Sequence, residues 1–476
     1  MTSDFGATRL GPILYFRGMA GEALRLAVMV LRPTGEVPGD LSADRQTHAP
    51  QPLREIGANT VWRYDFTLPQ GAPGYALEGE SYPVQSDVTG DLRFAFLSCN
   101  GEEEGDLDRD HQERNAMWAD MCEEHKKRPF ALLLQGGDQI YADEATKGHR
   151  LTEDWPKDFE KPRDAEELAE LAEHLGSRFA ERYVQALFGE APSWIMARVP
   201  TLAIWDDHDI CDGWGSLYRD RTLSEVGQCL FDVAREMYLL FQHAAVEADI
   251  PDLFLDPTGT SLSWQRKLPG LSIVAPDLRA ERGRRQVMGA HGWSATEAME
   301  PGETHTFLVS SVPLLGPRLS LVEGLLLMIP TMQKYEDDLR DQWQSRAHRK
   351  EWTRMLKQVL KWRETSPVTV LSGEIHLATR ATMGQGKSRI QQLVASGIAH
   401  RAPPKSYARS LGTLAGLGDA PVKGHPIRIH PLPGQKHRYT AERNYLELER
   451  KDGVWRTIWH LEDSGPTPPM LLDSAV

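Results

Sequence analysis

Four short polar segments hold the side chains best suited to chemistry, and each follows directly on an apolar run. They are FLSCN, ending at Asn100; LLLQGGDQIYADE, ending at Glu144; LAIWDDHDICDGWG, ending at Gly215; and VLSGEIHLATR, ending at Arg380. WDDHDICD is the most specific of them. Asp206, Asp207, His208 and Asp209 crowd three carboxylates and an imidazole into four residues. Adjacent carboxylates repel strongly unless cations or protons neutralise them. Asp207 is therefore a candidate metal ligand and His208 a candidate catalytic group, with Asp206, Asp209 and Asp212 able to orient them from behind. In GGDQIYADE, Gly136 and Gly137 permit a sharp turn that leaves Asp138 at a strand end, where its two oxygens can bridge two cations. Tyr141 and Asp143 follow within one turn. A turn-capping Asp is the structural alternative.

Glu374 and His376 stand two apart in SGEIHLA, so extended backbone points both side chains the same way, as a chelate requires. Alone, a strand-end His is more often hydrogen-bonded structure than a ligand. Cys99 in isolation reads as a small buried hydrophobe. Beside the other strand ends, a thiolate with a Tyr oxygen and a carboxylate suits iron or zinc better than magnesium. DLRAERGRR, after LSIVAP, adds Asp277, Arg279 and Arg282. Guanidinium groups grip phosphate oxygens bidentately; a solvated basic loop is the other reading. The donor set as a whole points to metal-assisted hydrolysis.

Such residues need strands that end together. In layered α/β proteins, ligands gather at the carboxyl ends of the strands. RFAFLSC, FALLLQG, PTLAIWD, LSIVAPD, TFLVSSV, VTVLSGE and QQLVASG have the unbroken apolar character of buried strands. Between them, helical periodicity covers Asn115–Lys127, Ala165–Leu187, Glu225–Glu247 and Arg346–Arg363. The acidic segment Asp154–Glu173 reads as a solvated face or a lid, within a helical insertion at about residues 150–195. Residues 1–90 alternate apolar and polar positions in ILYFRGM, LRLAVMVLRP and VWRYDFTLP, the pattern of a small all-β sandwich domain. Residues 91–476 then form the larger α/β domain. The chain closes on NYLELERKDGVWRTIWHLE, where Asp452-Gly453 signals a hairpin.

Composition narrows the function classes. The chain has 476 residues, and 40% hydrophobic with 26% charged residues is ordinary for a globular protein. A net charge of −14 argues against a broad nucleic-acid surface, so an acidic chain that handles phosphate must concentrate positive charge locally. The longest apolar run, near Leu321 to Pro330, is too short to span a bilayer. Four cysteines without a CxxC pair give no disulfide framework. Residues 1–20 show neither a signal peptide nor a twin-arginine pair, and a reducing cytoplasm is the simplest expectation. The lack of a GxSxG elbow, a P-loop and a GxGxxG in βα context withdraws support from serine hydrolase, nucleoside-triphosphatase and dehydrogenase readings.

In this order, the SC, GDQIYAD, WDDH and SGEIH segments resemble the successive metal motifs of the PhoD-like branch of the calcineurin-type metallophosphatases, the alkaline phosphatase D family. Asp277, Arg279 and Arg282 are similar to its Asp-x-Arg-x-x-Arg segment, and DDLRDQW at 337–343 and NYLELE are also similar. The resemblance runs from about Leu92 to Glu462. It implies a two-sheet metallophosphatase sandwich flanked by helices, preceded by a small N-terminal β-sandwich. It also implies that Cys99, Asp138 and Tyr141 hold an Fe(III)-like ion. Asp138 would bridge to a second ion, Ca(II) or Mn(II)/Zn(II), with Asp207, Glu374 and His376 as further ligands. His208 would serve the leaving group, and Arg279 and Arg282 would clamp phosphate. The implied substrate is a small-molecule phosphomonoester or diester. Two readings stay open beside it: a phospholipase D-like phosphodiesterase, and a catalytically silent, metal-stabilised binding protein. Glu374 stands where the family more often has Asp, and DDHDICDGWG differs from its commoner DDHE. Both leave the second metal and the substrate open, as the sequence also leaves the oligomeric state.

Overall fold

The computed structural model describes residues 5–317 and 342–472; the Leu321–Pro330 run and residues 337–341 of DDLRDQW lie outside them. Among the described residues, eleven strands form one large sheet. At its centre Leu92–Leu97, Leu132–Gly136, Thr201–Ile204 and Leu10–Ala20 run parallel. The hairpin Asn444–Lys451 and Val454–Leu461 pairs antiparallel to Leu92–Leu97 on one side. Its turn residues, Asp452 (φ 50°) and Gly453 (φ 77°), adopt the left-handed backbone that a two-residue hairpin loop requires. A second sheet of eight strands has its own parallel centre: Leu271–Ala275, His305–Ser310, Val368–Ser372 and Ile390–Val394.

The two sheets face each other across the core. Phe307 of the second sheet meets Trp455 of the first edge-to-face, with ring centroids 4.8 Å apart. Trp264 Nε1 donates to the Ala203 carbonyl at 2.8 Å and Trp459 Nε1 to that of Val394 at 3.0 Å, so these indoles are satisfied as they cross the layer. Helices cover the outer faces. Ala165–Phe188 packs on Glu225–His243 over the large sheet, with Leu171, Leu175, Phe179 and Tyr183 buried. Leu171 and Leu175 already fix the helical part of the acidic insertion in this outer layer. Arg349–Arg363 covers the second sheet through Trp352, Met355, Leu356 and Val359. Apart from Leu10–Ala20, these parallel strands are buried along their whole length, which is why their sequences show no regular alternation. The Glu225 helix ends at His243, before the expected Glu247, because Ala244 turns left-handed (φ 46°) and caps it.

The N-terminal region is β-rich as expected, and its relation to the rest is closer than a separate domain. Leu10–Ala20 pairs with Thr201–Ile204, so Leu10–Ala20, Ala23–Pro33, Asn59–Leu68 and Gln51–Ile56 extend the large sheet. A four-stranded sheet of Gln46–His48, Leu41–Ala43, Gly74–Leu77 and Glu80–Pro83 lies against them, with Phe66 and Tyr75 rings 5.7 Å apart between the layers. The small sandwich thus shares one of its two layers with the α/β core.

Candidate metal centre

The carboxyl ends of the two parallel sets meet at one edge of the core. Ser98 accepts backbone bonds from Gly397 and Ile398, and Cys99 from Ala399 and His400, which ties the first strand end to the fourth strand of the other sheet. Gly373 makes this approach possible: a Cβ there would lie 2.2 Å from Ser98 Oγ. Gly137 does the same between neighbours, since it sits at φ 107° and a Cβ would come within 2.8 Å of Asp206 Cβ. Four expected ligands adopt the left-handed region that non-glycine residues avoid: Cys99 (φ 57°), Asp138 (54°), Glu374 (68°) and His376 (52°).

Donor atoms of Cys99, Asp138 and His376 lie within 4.8 Å of one another, as do those of Asp138, Asp206 and Asp207. Asp138 belongs to both groups. Cys99 Sγ is 3.4 Å from Asp138 Oδ2 and 3.2 Å from Ser396 Oγ. Tyr141 Oη is 2.9 Å from His376 Nε2, which places the phenol in the first group. Asp138 is 1% exposed, and its Oδ1 has no hydrogen-bond partner among the described residues. A buried, unbonded carboxylate oxygen between two donor clusters fits a cation on either side. Burial and the neighbouring Asp206 push the Asp138 carboxyl up, burial and Asp138 push the Cys99 thiol up, and burial with His400 pushes the His376 imidazole down. Bound cations would reverse the first two effects and favour the unprotonated His376, so the residues suit metal ions. Glu374 joins neither group; both its oxygens accept from Gln342 Nε2 at 2.8 Å.

His208 stands beside this centre, stacked on the Tyr141 ring with centroids 4.3 Å apart. Its Nδ1 meets Asp143 Oδ2 at 2.9 Å, and Asp143 also accepts the Asp212 N–H at 2.7 Å. Burial works against the imidazolium, but the Asp143 and Asp207 carboxylates outweigh it and raise the His208 pKa well above its ordinary value.

Arg279 is placed differently from the expected phosphate clamp. It is fully buried, with its Nε on Asp206 Oδ1, its Nη1 on the Trp214 carbonyl at 3.0 Å and its Nη2 3.3 Å from Asp207 Oδ1. Its partners are the carboxylates of the centre rather than solvent. Arg282 packs against Gly215 and reaches the Leu278 carbonyl at 3.4 Å.

One residue of the site, His400, carried no assignment in the sequence. His400 stacks on His376 with centroids 3.4 Å apart and meets Glu103 at 3.2 Å. It follows the QQLVASG strand, so the strand-end logic that singled out the other motifs would have reached it. Asp209, expected as an orienting group, proves to be the anchor of two loops. Its Oδ2 accepts from the Asp138 and Asp206 amides at 2.9 and 2.8 Å, and its Oδ1 from the Gln139 and Ile140 amides and from Gln242 Nε2. Burial pushes its carboxyl up to about 7, while these N–H groups favour the anion.

With this geometry established, comparison with known proteins gives a family. Residues 97–336 match the PhoD related phosphatase family. The chain belongs to it. The matched segment takes in Cys99, Asp138, Tyr141, Asp207, His208 and Arg279, while Glu374 and His376 lie beyond it. The chain is also 24% identical, over 409 residues, to the uncharacterized protein YGR266W of Saccharomyces cerevisiae, covering 70% of this chain and 58% of that relative. It therefore spans less than two thirds of that protein's length. Among solved structures, one described as the structure of PhoD superposes with a TM-score of 0.55 at 11% identity, covering 98% of this chain and 88% of that one. The fold is thus that of PhoD. GAP50, described as the anchor in the inner membrane complex of Plasmodium, aligns at a TM-score of 0.40 and 9% identity over 81% of this chain and 90% of its own. Among the described residues no helix is long and apolar enough to cross a membrane.

Proposed function

We propose that the protein is a metal-dependent phosphoester hydrolase acting on a small-molecule ester. The observation that carries this reading is the position of Asp138, shared by a Cys99–His376–Tyr141 group and an Asp206–Asp207 group, with one buried oxygen unbonded. In this reading Cys99, Asp138, Tyr141 and His376 would hold one ion, and Asp138 and Asp207 a second. The thiolate and phenolate favour Fe(III) in the first position; the carboxylates of the second suit Ca(II), Mn(II) or Zn(II). Such a pair, when bound, supplies a hydroxide nucleophile at neutral pH and neutralises charge developing at phosphorus.

The protein's own groups supply the rest. His208, kept protonated by Asp143, donates a proton to the leaving oxygen. Arg279 acts as a positioning residue, balancing Asp206 and fixing Asp207 from the buried side. Arg282 is the guanidinium we assign to the non-bridging oxygens.

The test is elemental analysis of purified protein together with hydrolysis of a chromogenic phosphomonoester and the matching diester. Two ions per chain with turnover, and loss of both in Asp138→Asn, are the expected result. Full turnover in folded Asp138→Asn would overturn the reading, and the ester preference assigns the substrate class.

A further inference from the structure

The chain carries a net charge of −14, yet between His376 and Ala441 it has ten Lys and Arg residues against a single carboxylate residue, Asp419. The structure gathers part of this charge around a cleft of about 750 Å³ at the edge of the second sheet. Arg349, Arg428, His430 and Arg438 line it, together with Asp419. None of these residues belongs to the metal-ligand groups.

Three features mark the cleft as a site for an anion. Asp419 already pairs with Arg349 at 3.2 Å, so it does not balance the remaining charge. Arg428 and Arg438 have no carboxylate partner among the described residues, and neither has the neighbouring Arg380. Arg438 is held instead by the Gly412 carbonyl at 3.0 Å, and Arg380 by that of Pro431 at 2.7 Å. Carbonyl bonds orient a guanidinium without cancelling its charge, leaving its field for a ligand. Strand register adds the third feature. Arg380 lies directly opposite His430 in the antiparallel pair of Thr379–Met383 with His425–His430, and Arg428 stands two residues along on the same strand face as His430. A protonated His430 would face like charge there, which destabilises a sheet. His430 responds accordingly: burial first, and then Arg380, Arg428 and Arg438, lower its pKa. A bound polyanion would offset the guanidinium charge around His430 and favour its protonation.

We infer that the cleft binds a compact, multiply phosphorylated ligand, the chemistry common to a soluble sugar phosphate and a phosphorylated lipid headgroup. The volume admits a small molecule, and several guanidinium groups converging on one place match several phosphates better than one. The site is separate from the proposed catalytic centre, so its occupancy and ester turnover can be read independently.

Calorimetric titration of the full chain with inositol 1,4,5-trisphosphate tests the inference, with turnover of a chromogenic ester measured alongside. We expect one-site binding that weakens as salt is raised. Arg428→Glu should weaken it at least tenfold and Arg428→Lys less, with turnover within twofold of the parent in both. Asp419→Asn should strengthen binding severalfold. Sedimentation with phosphatidylcholine vesicles carrying phosphatidylinositol 4,5-bisphosphate separates the sources: Arg428-dependent binding to the vesicles assigns a lipid headgroup, and its absence beside trisphosphate binding assigns a soluble ligand. No binding at millimolar trisphosphate, or an affinity unmoved by Arg428→Glu, overturns the inference, as does tighter binding of a single-stranded oligonucleotide than of the trisphosphate.

Discussion

Replacing Asp209 by Asn tests whether a single buried carboxylate holds the two central loops together. Its two oxygens accept five N–H donors, two on Oδ2 and three on Oδ1. An amide has one acceptor oxygen, so either orientation sets an NH₂ group against at least two of those donors. A buried donor without an acceptor costs about 1–3 kcal/mol, which puts the variant ~2–6 kcal/mol below the parent. Unfolding entropy of about 2.1 cal/mol/K per residue makes about 1 kcal/mol/K for a chain of this length. The melting temperature should therefore fall by roughly 2–6 °C. Differential scanning fluorimetry at a fixed scan rate measures this, and metal content and ester turnover should fall with it, because the amides of Asp138 and Asp206 lose their common anchor. This loss requires an ionised Asp209, although burial pushes its carboxyl up to about 7. A protonated Asp209 is closely mimicked by Asn. A melting temperature within 1 °C of the parent, with unchanged turnover, would therefore show that the carboxyl is neutral and the anchor argument wrong.

Asp143→Asn should lower kcat by about 100-fold or more with KM nearly unchanged, as expected for lost proton transfer. The loss should shrink for an ester with a strongly acidic leaving group, which needs no proton, and an equal loss for both esters would remove His208 from the role of acid. If Fe(III) occupies the Tyr141 group, the protein is coloured by thiolate- or phenolate-to-iron charge transfer, and Tyr141→Phe shifts that band; a colourless protein with stoichiometric zinc would refute the iron assignment alone. Burial, with Arg93 and Arg198 nearby, holds the His125 imidazole at about 4, below its ordinary 6.5. The fold keeps this group neutral, so its contribution is complete above pH 6.5 and is lost as pH falls toward 4, about 2 kcal/mol by pH 5. His125→Asn can still accept the Phe130 N–H and should flatten the melting temperature between pH 7 and 5.

The parallel core was legible because burial on both faces leaves unbroken apolar runs, and the DG turn because its backbone demands those residues. The boundary at residue 90 was less so. An alternating strand such as Leu10–Ala20 shows which of its faces is wet, but its pairing with Thr201–Ile204 is a contact between distant segments that no local pattern contains. Arg279 was misplaced for a related reason: a guanidinium that grips phosphate and one that neutralises a buried Asp206 have the same spelling, and only its zero exposure separates them. His400 was within reach of the strand-end rule but sits six residues past Val394, beyond the point where that strand stops.

The expected metal-ligand positions carry a signal that is physical rather than compositional. Left-handed backbone at a non-glycine residue costs of order 1–3 kcal/mol. Cys99, Asp138, Glu374 and His376 each adopt it, so the four together set several kcal/mol against folding. Glycine would remove that cost at every one of these positions, as Gly137 does beside Asp138. What glycine cannot supply is the thiol, the carboxylates and the imidazole. The strain is tolerable only because the surrounding bonds fix each turn: the Cys99 amide to Gly137, the Asn100 amide to Asp138, the Asp138 amide to Asp209 and the His376 amide to Ser396. Backbone strain gathered at four converging donor residues is the arrangement expected of a functional centre, where strain of this kind clusters.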